Sequence, residues 1–194
     1  MIKDWKKDLF TIPNLLSLFR LLLIPVYVII YLNARDAADY FIAAGILAVS
    51  CITDLIDGKI ARHFNMISNV GKILDPVADK LTQFTLIICL SVHYPAIRSV
   101  LVLFVIKEGF QSIAGLLLLR KGKMLSGALI TGKICTTVLF ISLILLVMLP
   151  GLSQDMIYLL TGIDISFMLI AFGDYIRIYC KRGPMIQKIQ NPNE

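Results

Sequence analysis

The chain has 194 residues, of which 58% are hydrophobic and 16% charged, with a mean hydropathy of +0.82 and a formal net charge of +6. A soluble domain of this length is about half apolar and about a quarter charged, and the excess here is gathered into long runs, so the pattern argues for a polytopic membrane protein rather than a soluble enzyme. The positive charge recurs in short clusters between those runs, not as one stripe interleaved with aromatics, which argues against nucleic acid as a partner.

Six apolar runs of about 20 residues follow one another, each enough to cross a hydrocarbon core about 30 Å thick. They cover about 12–32, 40 past Cys51 into a polar motif, 75–93, 97–119, 127–149 and 156–179. Turn or breaker residues separate them at 35–39, 93–95 and 149–154. The expected fold is all-α: a single membrane domain of six transmembrane helices over 1–194, with an N-terminal segment at 1–11 and a polar tail at 181–194. The start, MIKDWKKDLFTIPN, is basic, but no small-residue cleavage site follows the first apolar run, so no cleavable signal peptide is expected.

Lysine and arginine sort by connection. Lys3, Lys6 and Lys7, then Lys59, Arg62 and Lys72, then Arg120, Lys121 and Lys123, then Arg177, Lys181, Arg182 and Lys188 fall on one side, and the other three connections hold only Arg35 and Arg98. The positive-inside rule then places both termini and the segment between the second and third spans in the cytoplasm. Cys51, Cys89, Cys135 and Cys180 stand singly in or beside spans, without the paired spacing of a zinc or redox motif, and read as small packing residues. Trp5, Tyr27, Tyr31, Tyr40, Tyr94 and Tyr158 lie near span ends, as in an interfacial belt.

The segment DLIDGKIARHFNMISNVGKILDPVADKL, 54–81, places four aspartates beside these apolar runs. Asp54, Asp57, Gly58 and Ala61 share a helix face at i, i+3, i+4 and i+7, and Gly71, Asp75 and Asp79 do so at i, i+4 and i+8. Two helices joined by a short turn would gather the four carboxylates, and Gly58, Ala61 and Gly71 would leave room for a ligand. Four such charges at low dielectric need counter-charge, and all-oxygen ligation suits Mg²⁺ or Mn²⁺ better than zinc. Arg62 adds a cation for a phosphate.

The eight positions Asp54, Asp57, Gly58, Ala61, Arg62, Gly71, Asp75 and Asp79 fill the signature D-x2-D-G-x2-A-R-x8-G-x3-D-x3-D, and the chain thereby resembles the CDP-alcohol phosphatidyltransferases. TIPNLLSLFR at 11–20, Pro25, and LDPVADKL at 74–81 are similar to the bacterial phosphatidylglycerophosphate synthase branch. The resemblance implies a six-helix enzyme of the bacterial inner membrane, a homodimer, acting on CDP-diacylglycerol. It implies that Asp54, Asp57, Asp75 and Asp79 hold two Mg²⁺ (or Mn²⁺) ions and that Asp79 is the general base. Asp57, Gly58, Ala61, Arg62 and Gly71 would then bind CDP-diacylglycerol, whose lipid-bearing phosphorus the acceptor hydroxyl attacks as CMP leaves.

Ionisable groups within spans are functional candidates, so Arg20, Lys107 and Lys133 are expected to bind an acceptor phosphate such as that of glycerol 3-phosphate. The rival reading of Lys107 is a structural pair with Glu108. The related synthases often show Arg-Glu where this chain has Lys107-Glu108, and lysine lacks the bidentate fork. Phosphatidylglycerol, in a cardiolipin synthase, or an inositol-type acceptor therefore remain alternatives. An ion or proton transporter is the rival of another class, but it calls for acids near mid-bilayer in both halves, whereas these cluster at one end. Asp174 is expected to pair with Arg177 at i, i+3.

Overall fold

The computed structural model describes residues 11–63, 71–120, 123–125, 130–181 and 186–188. Among them are six helices: α1 (Ile12–Asn33), α2 (Ala37–His63), α3 (Gly71–His93), α4 (Ile97–Arg120), α5 (Ile130–Met148) and α6 (Gln154–Lys181). Two three-residue strands, β1 (Lys123–Leu125) and β2 (Ile186–Lys188), form an antiparallel ribbon with Met124 opposite Gln187. The all-α expectation holds, with that ribbon as its one addition among the described residues.

The helix ends follow from local chemistry. Pro13 stands in the first turn of α1, where its missing N–H costs nothing, behind an extended Thr11. The Asp39 carboxylate accepts from the backbone N–H of Arg35 (2.9 Å) and Asp36 (3.3 Å), so the third residue of α2 reaches back over the helix start as in a capping box. These bonds hold the Asp39 carboxyl below the usual range. Ser153 precedes α6 and its Oγ accepts from the Met156 N–H at 3.4 Å. The breaks at 34–36, 94–96 and 149–153 coincide with the breakers read from the sequence.

The surface is inverted relative to a soluble protein. Leu22, Ile29, Val92, Ile113, Leu159 and many other large apolar side chains are exposed, while Asn14, Ser17, Arg20, Ser50, Thr82, Gln83, Lys107, Ser142, Thr161 and Asp164 are buried. This is the distribution of an integral membrane protein, whose polar groups turn inward because lipid offers them no partner. Four helical segments are long and apolar enough to cross a membrane: Asn14–Asn33, Ile97–Leu118, Ile130–Met148 and Gln154–Tyr179. The apolar part of α2, Ala37–Thr53, is shorter, because Asp54 and Asp57 interrupt it. In α3, Lys72, Asp75, Asp79 and Lys80 leave only the second half uninterrupted. Six helices thus stand where the sequence was read as six spans, and four of them meet this criterion among the described residues.

The chain forms two compact units, residues 1–93 with 143–151, and residues 94–142 with 152–194. In the first, α1 packs on both α2 and α3, and the fully buried Ala43 and Ala78 let helices approach closely. Gly45 and Ala48, on the same small-residue stretch of α2, are exposed instead. Tyr27 and Tyr31 are buried, not part of an interfacial belt. The Tyr31 ring lies 5.5 Å from Tyr27, 5.7 Å from Tyr40 and 5.2 Å from His93, which locks the ends of α1 and α3 and the start of α2 together. In the second unit α4 packs on α6, with Phe110 edge-on to Phe172 at 5.3 Å.

Candidate active site

α1 is apolar apart from a short stripe, Asn14, Ser17 and Arg20, spaced by three residues and buried to 2% exposure or less. On a helix that spacing keeps the three near one face, and α3 lies against α1. The Ser17 hydroxyl donates to Asp75 Oδ1 at 2.5 Å, and Arg20 Nη1 forms an ion pair with Asp79 Oδ1. Two residues one turn apart on α1 thus engage two carboxylates one turn apart on α3. Asp75 is half-buried and Asp79 is 49% exposed, so both carboxylates keep an open side.

Gly71 opens α3, four residues earlier than the sequence placed the start of the third span, so Gly71, Asp75 and Asp79 do lie on one helix at i, i+4 and i+8. Asp54, Asp57, Gly58, Ala61 and Arg62 lie on the continuous α2; their surroundings, with those of Gly71, are outside what the structure describes. Among the described residues no group of three or more His, Cys, Asp or Glu side chains is gathered. The described donors are carboxylate oxygens, with no sulfur or imidazole beside them, a set that fits a hard divalent cation.

The cations expected at the acceptor phosphate have separate settings. Arg20 pairs with Asp79. Lys107, in the second unit, is buried and donates from Nζ to Glu108 Oε1 at 2.6 Å, which forms the structural pair weighed as its rival reading. Lys133 is an exposed residue of α5 whose carbonyl accepts from Thr137. In the same unit, a Cβ at Gly132 would stand 3.2 Å from the Tyr175 hydroxyl, so glycine there permits close approach of that phenol. The expected i, i+3 pair of Asp174 with Arg177 is not formed among the described residues of α6.

Two features escaped a reading of the sequence. Asn14 and Ser17 carried no role, although the spacing N-x2-S-x2-R in an otherwise apolar helix was a visible signal. Asp164 on α6 is 1% exposed; a lone acid in an apolar run gave no hint of that burial.

On helices of a membrane protein, two partly exposed carboxylates of α3 are thus held by buried polar groups of α1. A model of the CDP-alcohol phosphatidyltransferase family matches residues 10–172, and the chain belongs to that family of phospholipid-biosynthetic transferases. Over 90 residues it is 45% identical to a protein of Schizosaccharomyces pombe named cardiolipin synthase (CMP-forming) / mitochondrial hydrolase fusion protein, which covers 45% of this chain and 14% of that one. Over 85 residues it is 40% identical to the CDP-diacylglycerol–glycerol-3-phosphate 3-phosphatidyltransferase of Escherichia coli K12, covering 44% of this chain and 46% of that one. The Shigella boydii protein of the same name matches equally. The matched segments span less than half of each relative. The family is generally dependent on a divalent metal.

Proposed function

We propose that this protein transfers a phosphatidyl group from CDP-diacylglycerol to the hydroxyl of glycerol 3-phosphate, releasing CMP. The observation that carries this reading is the α1–α3 centre, in which Asp75 and Asp79 are held by Ser17 and Arg20 on helices of a membrane protein. Asp79, half-exposed, is the base that takes the proton from the acceptor hydroxyl, and Arg20 fixes where its carboxylate points. Asp57, Gly58, Ala61, Arg62 and Gly71 form the CDP-diacylglycerol site, with Arg62 as the fixed cation beside the diphosphate and the small residues leaving space for it. Asp54, Asp57, Asp75 and Asp79 are the residues that would hold two Mg²⁺ or Mn²⁺ ions, which when bound neutralise the diphosphate and clamp the attacking and leaving oxygens. The residues supply positioning and charge complementarity, the main sources of rate in transfers at phosphorus.

Arg20, beside Asp79 in the first unit, is the proposed cation for the acceptor phosphate. The distribution of lysine and arginine supports both termini on the cytoplasmic side and the aspartates at the inner leaflet of a bacterial cytoplasmic membrane. All six helices are read as spans, since the 27 residues of α2 and 23 of α3 extend about 40 and about 35 Å. Residues 1–194 then act as one catalytic domain, in keeping with a family match that runs across both compact units. A homodimer is part of this reading.

The fission yeast relative, named as a CMP-forming cardiolipin synthase, favours one second reading, in which phosphatidylglycerol is the acceptor. Purified protein given CDP-diacylglycerol and, separately, labelled glycerol 3-phosphate, phosphatidylglycerol or inositol decides. Incorporation of glycerol 3-phosphate with matching CMP release, abolished by chelation and restored by Mg²⁺ or Mn²⁺, is expected. Label entering only from phosphatidylglycerol would move the assignment to the second reading.

A further inference from the structure

We propose that Ser17 is a positioning residue of the catalytic centre: its hydroxyl fixes the Asp75 carboxylate in the orientation that ligates a divalent cation. This rests on the reading of Asp75 as a metal ligand given above. Hydroxyls in membrane helices commonly donate to a carbonyl of their own preceding turn. Thr53, Thr82, Ser99 and Ser166 do so here, to Ser50, Ala78, Ala96 and Gly162. Ser17 differs, because its hydroxyl reaches a carboxylate 58 residues away on another helix.

The geometry favours a positioning role over simple satisfaction of a buried hydroxyl. Ser17 is fully buried on a packed helix, so its Oγ is a fixed point. Asp75 is half-buried, and its contact with Ser17 is its only hydrogen bond among the described residues. Without that donor, no hydrogen bond among the described residues would restrain rotation about the Asp75 side chain. With it, Oδ1 is held and Oδ2 would be the oxygen that ligates the cation. Donors outside the ligand set orient ligating carboxylates, and their loss typically costs about 10–100-fold in metal affinity. Ser17 donates a neutral hydrogen bond, so it aims Asp75 without cancelling the charge that attracts the cation. The neighbouring Arg20 engages the other carboxylate, Asp79.

The test is Mn²⁺ binding to the purified full-length protein in detergent, followed by the loss of the free-ion paramagnetic resonance signal. This readout does not depend on turnover. Ser17→Ala is expected to raise the Mn²⁺ dissociation constant about 10–100-fold, with the metal-free melting temperature kept and affinity restored by Ser17→Thr. In an Asp75→Asn background, Ser17→Ala should add nothing, because Ser17 acts through that carboxylate. Should Ser17→Ala fail to fold, Ser17→Cys, which keeps the size and a weaker donor, is expected to lie between the parent and Asp75→Asn. Unchanged Mn²⁺ affinity in a folded Ser17 variant overturns the proposal and leaves the metal site standing. A parent that binds no Mn²⁺ overturns the metal-site reading, and this proposal with it.

Discussion

Arg20 on α1 and Asp79 on α3 form an ion pair whose halves differ in setting: the guanidinium side chain is 2% exposed and the carboxylate side chain 49%. The arginine is a fixed, permanently charged anchor within the helix packing, and the aspartate is the end that can meet a substrate. Such a pair adds little to the stability of the fold, because the exposed partner is screened by solvent, and its proposed part is to orient the Asp79 carboxylate.

Arg20→Ala is therefore expected to lower kcat/KM about 100-fold, the scale of a misplaced reacting group. Arg20→Lys should retain part of the rate, since it keeps the charge but not the planar fork. CMP release from CDP-diacylglycerol measures both. An Arg20→Ala enzyme as active as the parent would remove Arg20 from the centre.

Asp79→Asn keeps the shape of the side chain and removes the proposed base. Turnover is expected to fall about 10²–10⁴-fold while Mn²⁺ still binds. Turnover at the parental rate would assign the proton to another group.

Ala43 is fully buried on α2, whereas Leu22 on α1 is 68% exposed. Ala43→Leu should destabilise by about 1–3 kcal/mol through overpacking. Leu22→Ala should change stability by less than about 0.5 kcal/mol. Unfolding in detergent micelles with added denaturant reads both, and equal effects would contradict the packing described.

The Asp39 cap has a pH signature. Its carboxyl titrates lower in the folded protein than in the unfolded chain, because the Arg35 and Asp36 amides donate to the ionised form. Its contribution is therefore fully present above the unfolded value of about 3.9 and is lost as pH falls through the lower folded one. Asp39→Ala should lower the melting temperature at pH 7 by the same amount as at pH 5. The difference should close as the medium is acidified below the folded value.

How much of this was legible in the chain depends on the range of the interaction. Apolar runs and breakers placed α1, α4 and α6 within two or three residues, since helix length and chain breaks are local properties. The third helix starts earlier than its hydropathy indicated, at Gly71, because charged Lys72 and Asp75 dilute an apolar signal without opposing a helix. The eight-residue signature and the family it indicates were likewise readable, because helical spacing turns sequence separation into a shared face. Tyr27 and Tyr31 were misjudged as belt residues: an aromatic near a span end reads the same whether it faces lipid or a neighbouring helix.

The sequence by itself determined a helical membrane protein, its family, and the four-aspartate spacing to which the proposed chemistry is assigned. Each is written in composition or in spacing of a few residues. Only the tertiary structure decided that Ser17 meets Asp75 and Arg20 meets Asp79, and that Lys107 spends its charge on Glu108. Partners 58 and 59 residues apart share no periodicity; they meet because α1 and α3 pack together, and the polar groups of a helix in lipid turn to whatever that packing sets before them.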